Sequence, residues 1–464
     1  MLSLRRIPHI RRVYSFSSLA FPSLDIQHPK NNVPQSIRAI VRGRRLLREP
    51  GHPLACLKTA IFSHFNAAEV LRVGKGEEKG FSAFESALSP LVTSRANFDE
   101  LLTPIAHASR RPSDTFYVDD LHVLRCHMTA HQTELLRAGY RTFLMAGDVY
   151  RRDTVDRTHA PVFHQLDGVR VWSQAELPVA AQVALAAGDF GPATQFALAD
   201  LRSTLEGLAK YLFGASAATR WVPAHFPFTE PSLELEVEFG GKWLEVLGAG
   251  VIRNEILATA CRRNKQNGSG SGGGGDVSCD AAVGWAFGVG LERLAMVLHA
   301  IPDIRLFWSQ DARFAAQFVK SKPLPAPPIK FKPFSSQPAC YNDVAFWVPA
   351  GMRVSGDGEG VDEAGCVEEE EQKVVVVDTG DQHRAAGKFC FHENDFHAAV
   401  REAAGDLAEA VERIDRFVHP KTKRTSLCFR VLYRSADRSL TNEEVDSIQA
   451  KVVATVKSMG FEIR

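Results

Sequence analysis

Two segments of the chain place arginines where they could hold the phosphate groups of a nucleotide. The first segment, residues 143–168, has Arg151 and Arg152 at the end of an apolar run, followed by a polar loop and a second apolar run. The second segment, residues 284–296, is glycine-rich and leads into an amphipathic pattern that carries Arg293. A guanidinium group makes two charge-assisted hydrogen bonds to phosphate oxygens at once. Two arginines from distant segments could therefore clamp a triphosphate.

The spacing of apolar residues predicts the elements that carry these arginines. Spacing typical of helices occurs at residues 34–48, 52–65 and 128–139. Residues 141–152 and 232–239 have the pattern of strands, and in the second Leu, Val and Phe alternate with Glu. Short connections between such strands favour an antiparallel sheet in an α+β fold. Neither a G-x-G-x-x-G after a strand nor a G-x-x-x-x-G-K-[ST] loop occurs, which disfavours a doubly wound parallel sheet.

Composition sets broad limits on function. The 464 residues are enough for two or three domains, and 45% hydrophobic with 23% charged residues is ordinary for a soluble chain. The net charge of +1 means that a nucleic acid would have to be met by local basic patches. No run approaches the apolar length of a membrane span, so a membrane is not an expected partner. None of the eight cysteines forms a C-x-x-C pair, so no zinc site is indicated.

The N-terminal residues differ from the rest. Residues 1–24 contain four arginines and five serines, and no acidic residue precedes Asp25. This composition predicts an organelle transit peptide, which we place at residues 1–34. A basic arm that touches RNA is the alternative. A secretory signal is disfavoured because no apolar stretch of sufficient length follows the arginines.

Three low-complexity stretches predict an insert, a linker and a second insert. Residues 264–276 carry six glycines and predict a flexible surface insert. Residues 321–334, rich in proline and lysine, predict a semi-rigid linker between domains. Residues 351–371 hold eight acidic residues and five glycines, which predicts a disordered acidic insert. A role for that insert in tuning RNA affinity by repulsion is the alternative reading.

Beyond the linker, residues 335–464 have the order of a split βαβ unit. Strand patterns occur in YNDVAFWV, KVVVV, LCFRVLYRS and FEIR. A long helix is expected within residues 391–417, and a second helix within residues 442–460. This βαββαβ order is that of a ferredoxin-like domain.

The arginine motifs resemble the second and third signature motifs of class II aminoacyl-tRNA synthetases. Three further blocks, LRCHMTAHQTELL (124–136), HFPFTEPSLELEV (225–237) and WLEVLGAGVI (243–252), are similar to the phenylalanyl-tRNA synthetase family, in its single-chain mitochondrial form. The resemblance covers roughly residues 45–320 and 329–464. It implies an antiparallel-sheet catalytic domain at 35–320 and a C-terminal ferredoxin-like anticodon-binding domain at 335–464.

The resemblance also implies an activity. The expected enzyme activates L-phenylalanine with ATP and Mg²⁺, and transfers it to the terminal adenosine 2′-hydroxyl of tRNA(Phe). A monomer in the mitochondrial matrix is expected, with a plastid location as an alternative. Two other readings are an inactive synthetase-like RNA-binding protein and a class II synthetase for another amino acid.

For the nucleotide, the resemblance implies that Arg151 holds the α-phosphate and the attacking carboxylate, while Arg293 holds the γ-phosphate. Phe163 would stack on adenine, and Glu245 would contact the nucleotide or Mg²⁺. The remaining implied ATP-binding residues are Asp153, Thr158, His159, Ala160 and Gly290. Taken singly, Arg151 would be read as part of a surface ion pair and Arg293 as a charge on a helix face.

For the amino acid, the resemblance implies a slot lined by Phe226 and Phe228 with Ala286 at its floor. Gln165 and Asp167 lie two apart on one strand, so both point to the same face and could bind the ammonium group. Asp167 stands where the family usually has Glu. The other implied substrate-binding residues are Thr129, Ala130, His131, Gln132, Leu166 and Phe287. His127, His131 and Gln132 could equally be structural.

The C-terminal domain carries a local basic set that could form an RNA surface. Its members are Lys421, Lys423, Arg424, Arg430, Arg434 and Arg438. A solvated strand edge is the simpler reading.

Overall fold

A seven-stranded sheet is the centre of the N-terminal domain. The computed structural model describes residues 22–73, 80–85, 88–261, 281–319, 328–333, 337–349, 352–354, 390–435 and 438–464. The N-terminal strands are β1 Ser82–Phe84, β2 Leu91–Thr93, β3 His122–Leu124, β4 Thr142–Tyr150, β5 Val162–Ser173, β6 Thr219–Ala224, β7 Thr229–Phe239, β8 Lys242–Ile252 and β9 Ala281–Gly290. The main sheet has the order β1-β4-β5-β9-β8-β7-β6, and β2 pairs with β3 beside it. Only the β1–β4 pair of the main sheet is parallel among the described pairings.

The strands form where the sequence alternates. In β7, Leu233, Leu235 and Val237 are buried while Glu234 and Glu236 are partly exposed on the other face. This period of two is what a sheet with one covered face requires. The predicted strands at 141–152 and 232–239 and the antiparallel sheet are confirmed.

Helices cover one face of the main sheet, which we call the helical face. The N-terminal helices are α1 Gln35–Arg42, α2 Pro53–Val73, α3 Ser94–Asn97, α4 Gln132–Arg137, α5 Val179–Ala186, α6 Gly191–Phe213, α7 Asn254–Cys261, α8 Leu291–His299 and α9 Ala312–Phe318. Side chains of α2, α6 and α8 form a single apolar core with the helical face. The opposite face, which we call the site face, is covered in part by α4 and α7. No described helix is both long enough and apolar enough to cross a membrane.

Two predicted helices differ in detail from the structure. The helix predicted at 34–48 ends at Arg42, because the chain turns at Gly43, where an added Cβ would lie 2.9 Å from the Ala39 oxygen. The helix predicted at 128–139 begins as a 3₁₀ turn, Met128–His131, and continues as α4. Gly139, with φ of 87°, follows its end as predicted.

Residues 22–34 pack on the N-terminal domain. The Asn32 side-chain amide donates to the carbonyl oxygens of Pro112 at 2.9 Å and Thr115 at 3.0 Å, and Val33 is buried. The folded domain therefore includes residues that the sequence analysis placed in the transit peptide. Residues 1–21 of that predicted peptide lie outside the described residues.

The C-terminal domain has the ferredoxin-like order β10-α10-β13-β14-α11-β15. Its elements are β10 Cys340–Trp347, β11 Arg353–Val354, β12 Cys390–Phe391, α10 Glu393–Ala404, β13 Ala408–Val418, β14 Thr425–Tyr433, α11 Asn442–Ser458 and β15 Glu462–Ile463. Its four-stranded sheet has the order β13-β14-β10-β15, and α10 and α11 pack on one face of it. The predicted fold class is therefore confirmed.

The edge strand β13 of this domain was not predicted, and neither were the short strands β11 and β12. The segment expected to contain a long helix divides into α10 and the edge strand β13, with a break at Gly405, whose φ is 55°. The exposed charged side chains of β13 resemble, in sequence, the solvent-facing surface of a helix. Edge strands commonly carry such charges as well. The KVVVV segment that was predicted as a strand lies outside the described residues, as do residues 264–276 and most of residues 351–371.

Residues 328–333 of the predicted linker are in contact with the N-terminal domain. Phe331 is buried in the helical-face core, and the Lys330 ammonium donates to the Leu298 oxygen at 2.8 Å. The Lys332 amide donates to the Gln317 side-chain oxygen at 2.8 Å. Residues 328–333 are therefore packed on the N-terminal domain.

The N-terminal and C-terminal domains are in contact, and a side chain of the first packs in the core of the second. Val155, from the loop between β4 and β5, is buried in the C-terminal apolar core. Its amide donates to His397 Nδ1 at 3.1 Å, and its carbonyl accepts from the Val411 amide at 2.9 Å. The Arg401 guanidinium donates to the Asp153 and Thr154 carbonyl oxygens at 2.7 and 3.1 Å. The loop is thus held by the C-terminal domain along several residues.

A buried carboxylate adds ionic contacts between the domains. Glu409 is 1% exposed and lies among three arginines. Arg157 donates to it from Nε at 2.8 Å, and Arg305 lies 3.5 Å away. Arg434 is 2.8 Å away, but its Nε lacks hydrogen-bond alignment. Arg157 and Arg305 belong to the N-terminal domain, so Glu409 joins the two domains by charge.

Candidate active site

The floor of the candidate site is a strip of sheet almost without side chains. Gly248 and Gly250 on β8 lie beside Gly288 and Ala286 on β9. An added Cβ at Gly288 would lie 3.0 Å from Asp167 Oδ1, and one at Gly290 would meet no atom within 4 Å. The Phe226 ring covers Gly248, and Thr229 and Pro231 cover Gly250. The site face is therefore a groove in which a ligand can approach the backbone closely at the Gly290 end.

Arg151 stands at one side of this groove, at the end of β4. Its Nε donates to the Cys126 carbonyl oxygen at 2.9 Å, which fixes the guanidinium. The guanidinium carbon lies 5.1 Å from the centre of the Phe163 ring on β5, within cation–π range. Arg151 therefore already covers Phe163, so the predicted stacking of adenine would use the remaining face of the ring.

Arg293 and Glu245 form a pair on the site face. Arg293 lies in the first turn of α8, and its Nη1 is 3.2 Å from Glu245 Oε2. Both side chains are well exposed, at 55% and 41%. Burial, with Glu245 and Glu236 nearby, raises the pKa of Glu234. Within the described residues, no three His, Cys, Asp or Glu side chains are grouped as a metal site would need.

The β4–β5 loop is organised by Asp156, which the sequence analysis did not select. Its carboxylate accepts from the Thr158 amide at 2.6 Å and the His159 amide at 2.8 Å, and it lies 2.7 Å from His159 Nδ1. Although burial raises the pKa of Asp156, these hydrogen bonds outweigh it and lower the pKa to about 2. An Asp two and three residues before its amide donors is a turn signal that could have identified it. Thr158 and His159 are exposed on this loop.

A polar pocket lies deeper in the groove. The Thr129 hydroxyl donates to Asp167 Oδ2 at 2.7 Å, while Asp167 Oδ1 is buried without a hydrogen-bond partner. Burial raises the pKa of Asp167 to about 7, although Thr129, Arg151 and Arg125 act in the opposite direction. The side-chain amide of Gln132 is also buried with neither atom bonded. Orphaned polar atoms of this kind are rare in folded proteins and are typical of sites that bind a polar ligand.

Gln165 completes the pocket from the same strand as Asp167. Its side-chain oxygen accepts from the Met128 amide at 3.2 Å. Gln165 and Asp167 thus both meet the segment at residues 128–129, which places them on one face, as predicted.

Two aromatic rings that stack on each other bound the predicted aromatic slot, so a substrate ring would lie beside them and not between them. Phe226 and Phe228 are stacked with ring centres 5.9 Å apart and planes 9° from parallel. Ala286 packs in the same apolar cluster as Phe228. The His127 ring lies 6.4 Å from Phe228, and burial together with Arg151 lowers the pKa of His127 to about 3. The slot is therefore lined by neutral groups.

Five predicted site residues are placed elsewhere. Leu166, Phe287 and Ala160 have their side chains in the core on the helical face, which leaves their backbone atoms for any contact with substrate. His131 Nε2 lies 2.9 Å from Arg125 Nη1, and its Nδ1 lies 2.7 Å from Glu134, so both ring nitrogens already face protein side chains. Ala130 packs in a separate small core outside the groove.

Asp153 is the remaining predicted ATP-binding residue. Its carboxylate accepts from the Thr154 amide at 2.8 Å. Its carbonyl is bonded by Arg401 of the C-terminal domain. The backbone at Asp153 is thus part of the domain contact, and the sequence did not predict this second role.

Comparison with known proteins agrees with this geometry. The model of the family described as "tRNA synthetases class II core domain (F)" matches residues 78–186 and 191–318. The model of the ferredoxin-fold anticodon binding domain matches residues 389–464. The chain is therefore a class II aminoacyl-tRNA synthetase that carries a C-terminal anticodon-binding domain.

Individual relatives narrow the family. The chain is 43% identical to the chloroplastic/mitochondrial phenylalanine–tRNA ligase of Arabidopsis thaliana, over 94% of this chain and 83% of the relative. It is 38% identical to the mitochondrial phenylalanine–tRNA ligase of Mus musculus, over 94% and 87%. For the mitochondrial enzyme of Saccharomyces cerevisiae the identity is 32%, over 97% of each. The chain belongs to the phenylalanine–tRNA ligase family, which confirms the resemblance found in its sequence.

Proposed function

We propose that this chain joins L-phenylalanine to tRNA(Phe) at the expense of ATP, in organellar protein synthesis. The observation that carries the proposal is the grouping of the aromatic slot, the Asp167 pocket and Arg151 on one sheet face. The slot fits a phenyl ring, the carboxyl fits an ammonium group, and the arginine fits the carboxylate and a phosphate.

The first step forms phenylalanyl-adenylate. A carboxylate oxygen of phenylalanine attacks the α-phosphorus of ATP, and the bond to the bridging oxygen breaks to release diphosphate. Arg151 balances charge on the α-phosphate and on the attacking carboxylate. Arg293 leaves Glu245 to hold the γ-phosphate. No protein nucleophile is required, because the reaction depends on charge balance and in-line placement.

Mg²⁺ would accompany the nucleotide. Glu245 and Glu234 offer carboxylates on the site face, and burial, followed by the nearby charge of Glu245, raises the pKa of Glu234. Two carboxylates do not complete an octahedral shell, so phosphate oxygens and water would supply the other ligands, as is common for this ion. The metal would neutralise charge on the phosphates.

The second step transfers the amino acid to RNA. The terminal 2′-hydroxyl of tRNA attacks the activated carbonyl and loses its proton as the ester bond forms. The bond between the carbonyl carbon and the phosphate oxygen breaks, and AMP leaves. The open position at Gly290 would give room for the nucleotide during both steps. The C-terminal domain would hold the distant anticodon.

The compartment follows from the relatives and the N-terminal composition. We place the enzyme in the mitochondrial matrix, with the plastid as a second location, because the cited relatives are named for these organelles. Since residues 22–34 pack on the domain, removal of the transit peptide should occur before them. N-terminal sequencing of the organellar protein tests this, and an intact Met1 on that protein would contradict it.

We expect the enzyme to be a monomer. Light scattering can check its oligomeric state.

ATP–diphosphate exchange with each of the twenty amino acids tests the activity. Exchange dependent on phenylalanine, together with charging of tRNA(Phe), is expected. Exchange with another amino acid only would identify a different synthetase. Binding of tRNA without any exchange would indicate the inactive RNA-binding alternative.

A further inference from the structure

A buried carboxyl group joins a strand of the candidate nucleotide site to the helix that carries Arg293. Glu292 lies in the first turn of α8 and is 2% exposed. Its Oε2 accepts from the backbone amide of His164 on β5 at 2.8 Å, and its Oε1 lies 2.6 Å from Nδ1 of the same residue. His164 is buried as well. Glu292 therefore contacts one residue of β5 twice, through its backbone and through its ring.

The place of this link follows from where β9 leaves the sheet. The pairing of β5 with β9 ends at Gln165 and Gly290, and His164 is the next residue of β5 beyond that end. The β9 ladder thus offers no partner to the His164 amide, and the Glu292 carboxylate accepts from it instead. Gly290, which precedes α8, has no side chain that could cap the helix. The Glu292 link therefore fixes the first turn of α8 on β5.

The His164 ring is also packed against a second ring. The Trp308 ring stacks on it with centres 5.9 Å apart and planes 27° from parallel. A buried polar pair often contributes no more stability than apolar side chains of similar volume. Its directional hydrogen bonds, however, allow only one register between a helix and a strand. The geometry therefore fits a pair that sets position.

Both ends of the link adjoin predicted ATP-binding residues. Arg293 follows Glu292 in the chain, and Phe163 precedes His164. The pair of Arg293 with Glu245 is open to solvent, and such exposed pairs hold a side chain only weakly. The place of the Arg293 guanidinium in the groove thus depends on the backbone of the first turn of α8. The distance between the two predicted ATP contacts depends in the same way on the Glu292–His164 link.

We propose that Glu292, anchored on His164, is a positioning residue that directs Arg293 to the γ-phosphate of ATP. Glu292 is buried, so it acts on the nucleotide only through Arg293. A small shift of α8 would move the guanidinium away from the phosphate, and small misplacements of this kind are costly. The inference rests on the proposed ligase activity and on the role given there to Arg293.

The test measures phenylalanine-dependent ATP–diphosphate exchange by the full-length chain and its variants, with KM determined separately for ATP and for phenylalanine. Glu292→Gln keeps the length of the side chain, but only one of its two terminal atoms can accept a hydrogen bond. His164→Ala removes the ring contact and leaves the backbone contact. His164→Asn returns a side-chain N–H donor close to the backbone. Glu292→Gln is also combined with Arg293→Ala.

Asp200→Asn is the matched control. Asp200, in α6, is also a largely buried carboxyl group that joins β5 to β9. Its Oδ2 accepts from Trp285 Nε1 at 2.8 Å and lies 3.3 Å from Arg170 Nη1. These contacts lie within the β5–β9 pairing and not at its Gly290 end. Asp200→Asn should therefore lose stability in urea without a selective change in KM for ATP.

Glu292→Gln and His164→Ala should each raise KM for ATP roughly tenfold and change KM for phenylalanine by less than about twofold. His164→Asn should recover most of the loss. Because the effect runs through Arg293, Glu292→Gln should add little to the loss that Arg293→Ala already causes.

An unchanged KM for ATP in Glu292→Gln overturns the inference. Equal rises in both KM values overturn it too, and so does the same effect of Glu292→Gln with and without Arg293. If Glu292→Gln does not fold, as urea unfolding would show, the two His164 variants decide by the same comparison of KM values. Absence of exchange in the wild type would instead reject the proposed activity.

Discussion

The Thr129 hydroxyl donates to one oxygen of Asp167 at 2.7 Å, and the other oxygen of that carboxyl is buried without a partner. The hydroxyl donor fixes the orientation of the carboxyl group, so the second oxygen already has a fixed direction in the pocket before a ligand binds. Burial has raised the pKa of Asp167 to about 7. A substrate ammonium would supply both the missing hydrogen bond and the missing charge.

Asp167 should make phenylalanine binding depend on pH. An ammonium favours the ionised carboxyl, so binding below about pH 7 requires loss of a proton, and KM for phenylalanine should rise about tenfold per pH unit there. Exchange kinetics between pH 5.5 and 8.5 measure this. Asp167→Asn should raise KM and abolish the slope, whereas Thr129→Ser keeps it. A pH-independent KM in the wild type would contradict the assignment.

The same carboxyl should affect stability in the empty enzyme. Its folded pKa lies above its unfolded value of about 3.9, so the folded state binds the proton more tightly. The free energy of unfolding should therefore fall as pH rises from about 4 to 7, and Asp167→Asn should remove that contribution. Urea unfolding at pH 5.5 and 7.5, for wild type and variant, measures the difference.

Arg151→Ala should abolish most adenylate formation. Removal of a preorganised charge from the reacting phosphate costs on the order of 3 kcal/mol of transition-state stabilisation. Arg152→Ala is the matched control, because Arg152 instead contacts Pro112 and Asp395 of the domain contact. Exchange rates for both variants decide the matter. Equal losses in the two would show that Arg151 acts through loop structure alone.

Ala286→Gly should widen the aromatic slot. Ala286 packs in the cluster that contains Phe228, and loss of its methyl group leaves space at the floor. Exchange with para-chlorophenylalanine should appear, while exchange with phenylalanine stays within a few-fold. Ala249→Gly, on the helical face, is the control and should not change the substrate range. An unaltered range in Ala286→Gly would remove Ala286 from the floor.

Glu409→Ala should destabilise the protein strongly. It removes the buried anion shared by Arg157, Arg305 and Arg434, and although Arg305 keeps its pair with Asp303, the loss of such a buried partner typically costs about 3 kcal/mol. Glu462→Ala breaks an exposed pair with Arg424 and should cost less than about 1 kcal/mol. Denaturant unfolding of both variants gives the comparison. A small loss for Glu409→Ala would mean that solvent reaches this contact.

The period of two explains both the successes and the errors of the sequence analysis. It placed Gln165 and Asp167 together, and the structure confirms that they share a face. Leu166 and Phe287 were implied by the resemblance, but adjacent positions on a strand face opposite ways. The same rule places their side chains on the helical face, where the structure has them.

Other features had no signal in the sequence. Val155 contacts His397, 242 residues away, and neither lies in a pattern that predicts the pairing. The strand β13 was missed because edge strands carry charges that period arguments assign to a helix.

Val155 also limits how this architecture can be recombined. Val155 belongs to the catalytic domain in sequence, yet its side chain packs in the apolar core of the anticodon-binding domain. In a chimaera that took the two domains from different parents, Val155 would not fit the apolar core of the other domain unless the β4–β5 loop and α10 came from the same parent. The breakpoint compatible with a stable hybrid therefore does not coincide with the proline-rich boundary that the sequence suggests.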